Sequence, residues 1–298
     1  MRSIAVAAAA CVALLQPARA RACAACNCGD PTLTSTGVER PYKNRVRFAV
    51  DELYSSLTQG DMLAGEQSWS LRSSLVASWS PLKWLTLNAR LPWVTSWVAE
   101  GRSPTQLVSG LGDLELSSRF LVFHERGFAP HHLLWLTGGV KAPTGYRVYD
   151  DQGFPFPDDD QPGSGSWDPF AGATYAWFSG GLTSFYATSS YRYTTPNTRG
   201  YRRGSTLASS AAVQLQPFSW GAIAIGGDVV WREADQLGNH ADVPSTGGVI
   251  AYFSPALLFS PRMDLLIRVS ASAPVVTHLY GQQTAGPVVA LSIAYDVR

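Results

Sequence analysis

Lysine is nearly missing from this chain: of 298 residues only Lys43, Lys83 and Lys141 carry it. Charged residues of all kinds reach 15%, against about 25% in an ordinary soluble domain. The formal net charge is +1, so no excess of positive charge exists to meet a phosphate backbone, and a nucleic-acid partner is excluded. Cysteine is absent beyond Cys28, which rules out a disulfide framework in the body of the chain. After the first two dozen residues no apolar run approaches the roughly 20 residues of a membrane helix. In place of these features stand 10 Trp, 12 Tyr, 12 Phe and 27 Gly. Few charges, many aromatics and no apolar helix together point to a membrane β-barrel.

The N-terminus supports that direction. Met1-Arg2 is followed by the uncharged run SIAVAAAACVALL and then QPARARA. A positive start, a short apolar stretch and overlapping A-x-A signals predict an export peptide over residues 1–22, cleaved after Ala20 or Ala22. A Cys-containing arm over 23–43 and a barrel over 44–298 would follow.

Alternation of period two is the diagnostic of a strand with one face in lipid and one in a lumen. WSLRSSLVASW places Trp69, Leu71, Leu75, Ala77 and Trp79 on one face, and Ser70, Arg72, Ser74, Val76 and Ser78 on the other. WLTLNARLPW, GDLELSSRFLVF, AIAIGGDVVWR, DLLIRVSA and VALSIAYDV repeat the pattern. Aliphatic outer faces with aromatics at their ends match the girdled band of an outer-membrane barrel. Strands are predicted near 44–56, 67–79, 83–93, 111–123, 131–142, 167–178, 182–194, 205–216, 220–232, 247–259, 263–273 and 287–297. They make an even set of twelve, an all-β, antiparallel, up-and-down transmembrane barrel. The connections between them alternate short and long, as periplasmic turns and extracellular loops do. That alternation predicts periplasmic N- and C-termini in the outer membrane of a Gram-negative bacterium.

The inward faces collect charge of both signs. Expected lumen-lining residues are Arg45, Arg47, Arg72, Arg90, Asp113, Glu115, Arg119, Asp168, Arg192, Asp228, Arg232, Asp264, Arg268 and Asp296. Two readings stay open: the charges pair and fill the lumen, because unpaired buried charge is costly, or they line a narrow polar pathway. In the longest connection, APTGYRVYDDQGFPFPDDDQPGSGSW, Tyr146, Tyr149, Phe154 and Phe156 fit an inward constriction or an outward contact surface. Its aspartates match no Ca²⁺-loop spacing.

CAACNC, with Cys23, Cys26 and Cys28, offers three thiols within six positions. Covalent haem needs a His after the second Cys, and Asn27 stands there. A disulfide with one thiol left over is one reading. The other is a soft-metal site for Cu(I) or Zn²⁺, with His124, His131 or His132, from a turn on the same side, as candidate fourth ligand.

Three short motifs carry a resemblance. GLGDLELSSRFLVF, then GGVKAPTG, then GSGSWDPFAGATY, within a match running from about Gly110 to the C-terminus, resemble the outer-membrane proteins grouped as the MetA-pathway-of-phenol-degradation family. Membership would imply an outer-membrane channel or transporter for small, often hydrophobic compounds, and no catalytic residue. The chain departs from many outer-membrane proteins in ending YDVR instead of on an aromatic, although Tyr295 keeps the outward phase. The expected partners are the bilayer, a small, hydrophobic or aromatic solute, and a periplasmic protein held by the arm. A non-transporting scaffold is the first alternative. A barrel lipid hydrolase is the second, but it needs a Ser–His pair at the interface, and no nucleophile motif accompanies the histidines, so no enzymatic activity is expected.

Overall fold

The computed structural model describes residues 43–59, 66–100, 104–125 and 130–297. The export segment and the cysteines of the arm lie outside the described residues. The chain forms strands β1 (Arg45–Gln59), β2 (Glu66–Leu82), β3 (Leu85–Glu100), β4 (Gln106–Leu111), β5 (Leu114–His124), β6 (His132–Ala142) and β7 (Asp168–Phe178). It continues with β8 (Thr183–Arg192), β9 (Thr206–Phe218), β10 (Gly221–Arg232), β11 (Gly248–Arg262), β12 (Leu265–Leu279) and β13 (Gln283–Val297). β1 pairs antiparallel with both β2 and β13, so the sheet closes on itself.

The ring has twelve staves rather than thirteen. β4 pairs with β3 from Trp93 to Val98, and β5 pairs with the other half of the same strand, from Leu85 to Arg90. Gly112 and Asp113 therefore interrupt one continuous stave, and Gly112 N–H still donates to Pro92 O at 2.8 Å. Most of the expected strands reappear within a few residues. Three depart further. β3 runs on to Glu100, β12 to Leu279, and β13 begins at Gln283, so the loops expected at 94–110 and 274–286 are largely strand. A span of about 9–11 residues crosses the bilayer, and these longer staves stand beyond it, where alternation need not be apolar.

The two faces separate as the period-two pattern requires. Phe48, Val50, Leu75, Leu87, Leu116, Ile223, Ile225, Leu257, Val269 and Ile293 point outward and are exposed. Their neighbours Ala49, Ser74, Val76, Ala224, Leu258 and Ala294 point inward and are buried. A ring of aromatics marks the short-turn end of the outer face. There Trp84 stacks with Phe120 and Phe218 with Trp220, and Trp220 meets Phe259 edge-on. Tyr54, Trp97 and Tyr191 are exposed toward the other end. Trp69 and Trp79 lie ten residues apart on β2, which at about 3.3 Å per residue and the tilt of a barrel strand spans about 25 Å of height. This is the apolar belt of a bilayer-spanning barrel. Glu52 interrupts it: it shares the outward phase of Val50 and Tyr54, and its carboxylate accepts a hydrogen bond from Ser73 Oγ at 2.6 Å.

Two apolar clusters fill the inside of the short-turn end. Leu133, Trp135, Ala176 and Tyr186 form one, with Leu121 and Phe178 against it. Val76, Leu258, Leu266 and a set of alanines form the other. Together they make a floor, and the open space of the lumen lies above it.

Placing a charge on the outer belt tests the orientation of the wall. Leu75→Arg should cost about 2–4 kcal/mol of stability in a bilayer, measured by urea unfolding from lipid vesicles. The inward change Ser70→Arg should cost far less.

Candidate functional site: a two-chambered lumen

Three glycine-bearing stretches that are far apart in the chain meet at one point of the inner wall. The stave break at Gly112–Asp113 leaves the Asp113 carboxylate buried and facing inward. It accepts hydrogen bonds from Gly145 N–H at 3.0 Å and from Ser164 N–H at 2.7 Å. Lys141, near the end of β6, places its ammonium 3.3 Å from Asp113 Oδ2 and in direct contact with Asp168 Oδ2, at the start of β7. Ser164 and Ser166 complete the knot; Ser166 Oγ donates to Asp168 Oδ1 at 2.9 Å. Gly163 is required by close approach, since a Cβ there would stand 2.6 Å from Asp113 Oδ1. One ammonium between two carboxylates satisfies charges that would otherwise be costly to bury.

The knot ties down the connection between β6 and β7, which divides into two limbs. Its inner limb, Asp159 to Ser164, lines the lumen, with Gln161 and Ser164 buried, and Ser166 is buried behind it. Gln161 braces the limb by donating to Val148 O at 3.1 Å and Phe156 O at 2.8 Å. Its outer limb is a hairpin tip exposing Tyr146, Tyr149 and Phe154. Tyr146, Tyr149 and Phe154 are therefore exposed and Phe156 is half-buried, whereas Asp159 and Asp160 line the lumen. The neighbouring loop clamps the same limb: Arg203 donates to the carbonyls of Asp158 at 2.9 Å and Gln161 at 2.8 Å. That loop is anchored in turn by Tyr201 Oη, which donates to the fully buried Asp235 at 2.5 Å. Burial, reinforced by the Asp235 carboxylate, pushes the Tyr201 hydroxyl well above the ordinary phenol range, so it stays a donor.

Below this clamp lie two cavities of about 340 Å³ each. The upper one is walled by Arg72, Asp113, Glu115, Lys141, the inner limb, Arg192, Arg203, Arg232 and Asp235. The lower one is walled by Val76, Arg90, Arg119, Phe170, Thr174, Thr188, Asp228 and Val230, together with small residues. Glu115 and Arg192 belong to both walls. Arg192 on β8 reaches Glu115 on β5, three staves away, at 2.7 Å, and its guanidinium lies 5.1 Å from the Phe170 ring centre. Phe170 fits there because Gly139 faces it; a Cβ on Gly139 would stand 2.5 Å from the ring. The neck between the chambers is thus a salt bridge laid over an aromatic.

The charges expected in the lumen fall into layers. Arg45 and Arg47 both bind Asp296 at the short-turn end, with Nε–Oδ1 distances of 2.9 and 2.8 Å. Arg268 is buried on the same inner face, and Asp264 occupies the turn between β11 and β12, where its carbonyl accepts from Asp296 N–H at 2.8 Å. Halfway up, Arg90 meets Asp51 at 3.1 Å, Asp228 holds Ser254, and Arg119 lies 5.0 Å over the Trp135 ring. Higher still, Arg232 binds Asp235 at 2.5 Å. Paired charges and charges that line open space are therefore both present, at different heights. Of the candidate metal-ligating histidines, His131 Nδ1 bonds Phe178 O and His132 Nδ1 bonds Tyr175 Oη, each at 2.7 Å; His124 ends β5. Among the described residues no group of three or more potential ligands forms a metal site, and Cys23, Cys26 and Cys28 lie outside them. Lys141, Phe170, Arg203 and Asp235 were missed as lumen residues by sequence pattern. Lys141 and Phe170 do carry the inward phase of their strands, whereas Arg203 and Asp235 sit in loops, where no period applies.

No protein-family model and no curated protein matches this chain. Solved structures do. The COG4313 outer membrane channel from Pseudomonas putida F1 superposes with a TM-score of 0.65 at 14% identity, covering 86% of this chain and 96% of that one. The toluene transporter TodX from P. putida aligns over 86% of this chain and 90% of its own at 8% identity, with a TM-score of 0.44. The KdgM porin, solved with oligogalacturonate, gives 0.44 at 7% identity over 84% of this chain and 99% of its own. At these identities the first likeness establishes the barrel fold.

Removing the ammonium at the knot gives a direct test of its role. Lys141→Met leaves Asp113 and Asp168 buried and facing one another, and should cost about 3–5 kcal/mol in urea unfolding. Adding Asp168→Asn to it should recover part of that loss.

Proposed function

We propose that this chain is an outer-membrane channel for small solutes with an apolar, often aromatic, body. The observation that carries the reading is the pair of chambers stacked in the lumen and separated by a single salt bridge, Arg192–Glu115. A barrel built only as a scaffold gains nothing from such space, since side chains fill small barrels well. The lower chamber is the more apolar, with Phe170, Val76 and Val230 in its wall, which suits a hydrophobic body better than a sugar. The short turns and both termini would face the periplasm and the clamped loops the outside. That the P. putida F1 structure with the similar barrel is an outer membrane channel agrees with this reading. On the periplasmic side the arm would present Cys23, Cys26 and Cys28 to a thiol, a soft metal or a partner. Equal metal content in the reduced protein and its Cys23→Ser variant would remove the metal from that account.

Reconstitution tests the channel directly. Liposomes containing the protein should swell in small solutes, and planar bilayers should show a small conductance. Both should rise in Arg192→Ala, which opens the neck, and conductance should also rise in Trp135→Ala, which thins the floor. Absence of swelling and current in all three proteins would leave the scaffold reading in its place.

A further inference from the structure

The two chambers differ in the sign of their charge. The wall of the upper one carries seven carboxylates and five cations. Within it Arg232 is matched by Asp235 and Arg192 by Glu115, while the knot sets one ammonium between two carboxylates. One negative charge in excess therefore stays at the knot. The other arises where Glu66, Asp159 and Asp160 meet only Arg72 and Arg203. Below the neck the balance reverses. Arg90 and Arg119 stand against Asp228 in the wall of the lower chamber. Beneath them Arg45, Arg47 and Arg268 are set against Asp51 and Asp296. Each of these two levels has one cation in excess. The rims continue the trend among the described residues: the short-turn end adds Lys43, Lys83 and Arg262 to Glu125 and Asp264, and the loops add five carboxylates to three arginines. The interior is thus polarised along its axis, negative at the loop end and positive at the short-turn end.

Low-dielectric walls focus such fields on the mobile ions inside them, and lining charge sets which ion a narrow pore favours. A cation is drawn into the upper chamber and repelled below the neck, and an anion meets the reverse. Neither sign has a continuous favourable path, whereas a solute without net charge meets no such step. We propose that the lumen is a bipolar passage, which admits small uncharged solutes, holds back simple ions of both signs and carries ionic current more readily in one direction. The proposal rests on the channel reading and narrows its solutes to uncharged ones. The direction follows from the order of the charges. With the loop side positive, cations enter through the acidic chamber and anions through the basic one; both move toward the neck and fill the lumen with carriers. With the voltage reversed, both are drawn away from the neck and the lumen empties.

Current–voltage curves of the full chain in planar bilayers test the assignment. In about 0.1 M KCl the current should be about threefold larger in one direction than at the equal and opposite voltage, the Boltzmann weight of a potential step of about 1 kT. The asymmetry should fade toward about 1 M, where the screening length falls from about 10 Å to about 3 Å. The joint change Asp159→Asn, Asp160→Asn removes the upper excess, so it should straighten the curve and shift the reversal potential in a KCl gradient toward chloride. Arg119→Gln removes the excess of the lower chamber and should shift it toward potassium. Asp151→Asn, on the exposed hairpin tip, should change neither. Liposomes should swell faster in erythritol than in potassium lactate or choline chloride. Heat-modifiable gel mobility reports whether each variant barrel is folded; if Arg119→Gln does not fold, the loop pair and the salt series decide. A straight curve in the unaltered protein, unchanged asymmetry in the folded Asp159, Asp160 variant, or equal swelling in the three solutes overturns the polarity and leaves the channel. Absence of current and swelling in every protein removes the channel and the proposal with it.

Discussion

In a bilayer no backbone N–H or C=O can be left without a partner, because no water is there to take its place. Closure of β1 onto β13 meets that demand for the whole wall, and the rest of the molecule follows from it. Once the ring is closed, each residue has a face assigned by parity. Apolar side chains go to lipid, and the other half of the chain, whatever its polarity, is delivered into a shared interior. The interior of this protein is the consequence of that delivery more than of a hydrophobic core in the usual sense.

What the interior does with its charges depends on height. At the short-turn end Arg45, Arg47 and Asp296 are gathered beside the apolar floor, where pairing is needed because little water reaches them. At the other end, loops fold in and are held by buried ionic contacts, Lys141 between its two aspartates and Asp235 with Tyr201 and Arg232. Between these sealed layers the chambers stay open, and there pairing becomes local and incomplete. The two ends are tied by buried ion pairs, and the open space lies between them. The ends hold the barrel together, while the Arg192–Glu115 bridge stands between the two chambers.

Much of this was legible in the residues. Period-two alternation located the staves, the even count followed, and the inward parity of Arg72, Glu115 and Arg192 put them in the lumen without any structure. The resemblance motifs around Gly110, Lys141 and Gly163 were visible as strings. Their meeting around Asp113 was not, because β5, β6 and the loop come together only when the stave breaks at Gly112. Loop lengths were overestimated at 94–110 and 274–286 because strands above the membrane no longer need an apolar face, and the signal used to find them fades there. The direction of the Tyr146–Phe156 aromatics was equally hidden, since loop residues have no parity to read.

The amino-acid sequence by itself determined which residues face lipid and which face the interior, because that assignment depends only on position along a strand. Which interior charges are spent and which remain available was decided by tertiary structure alone. Arg72 and Arg192 look the same in a strand pattern. One forms an ion pair with Glu115 three staves away and the other does not, because the curvature of the closed wall sets which side chains can reach each other.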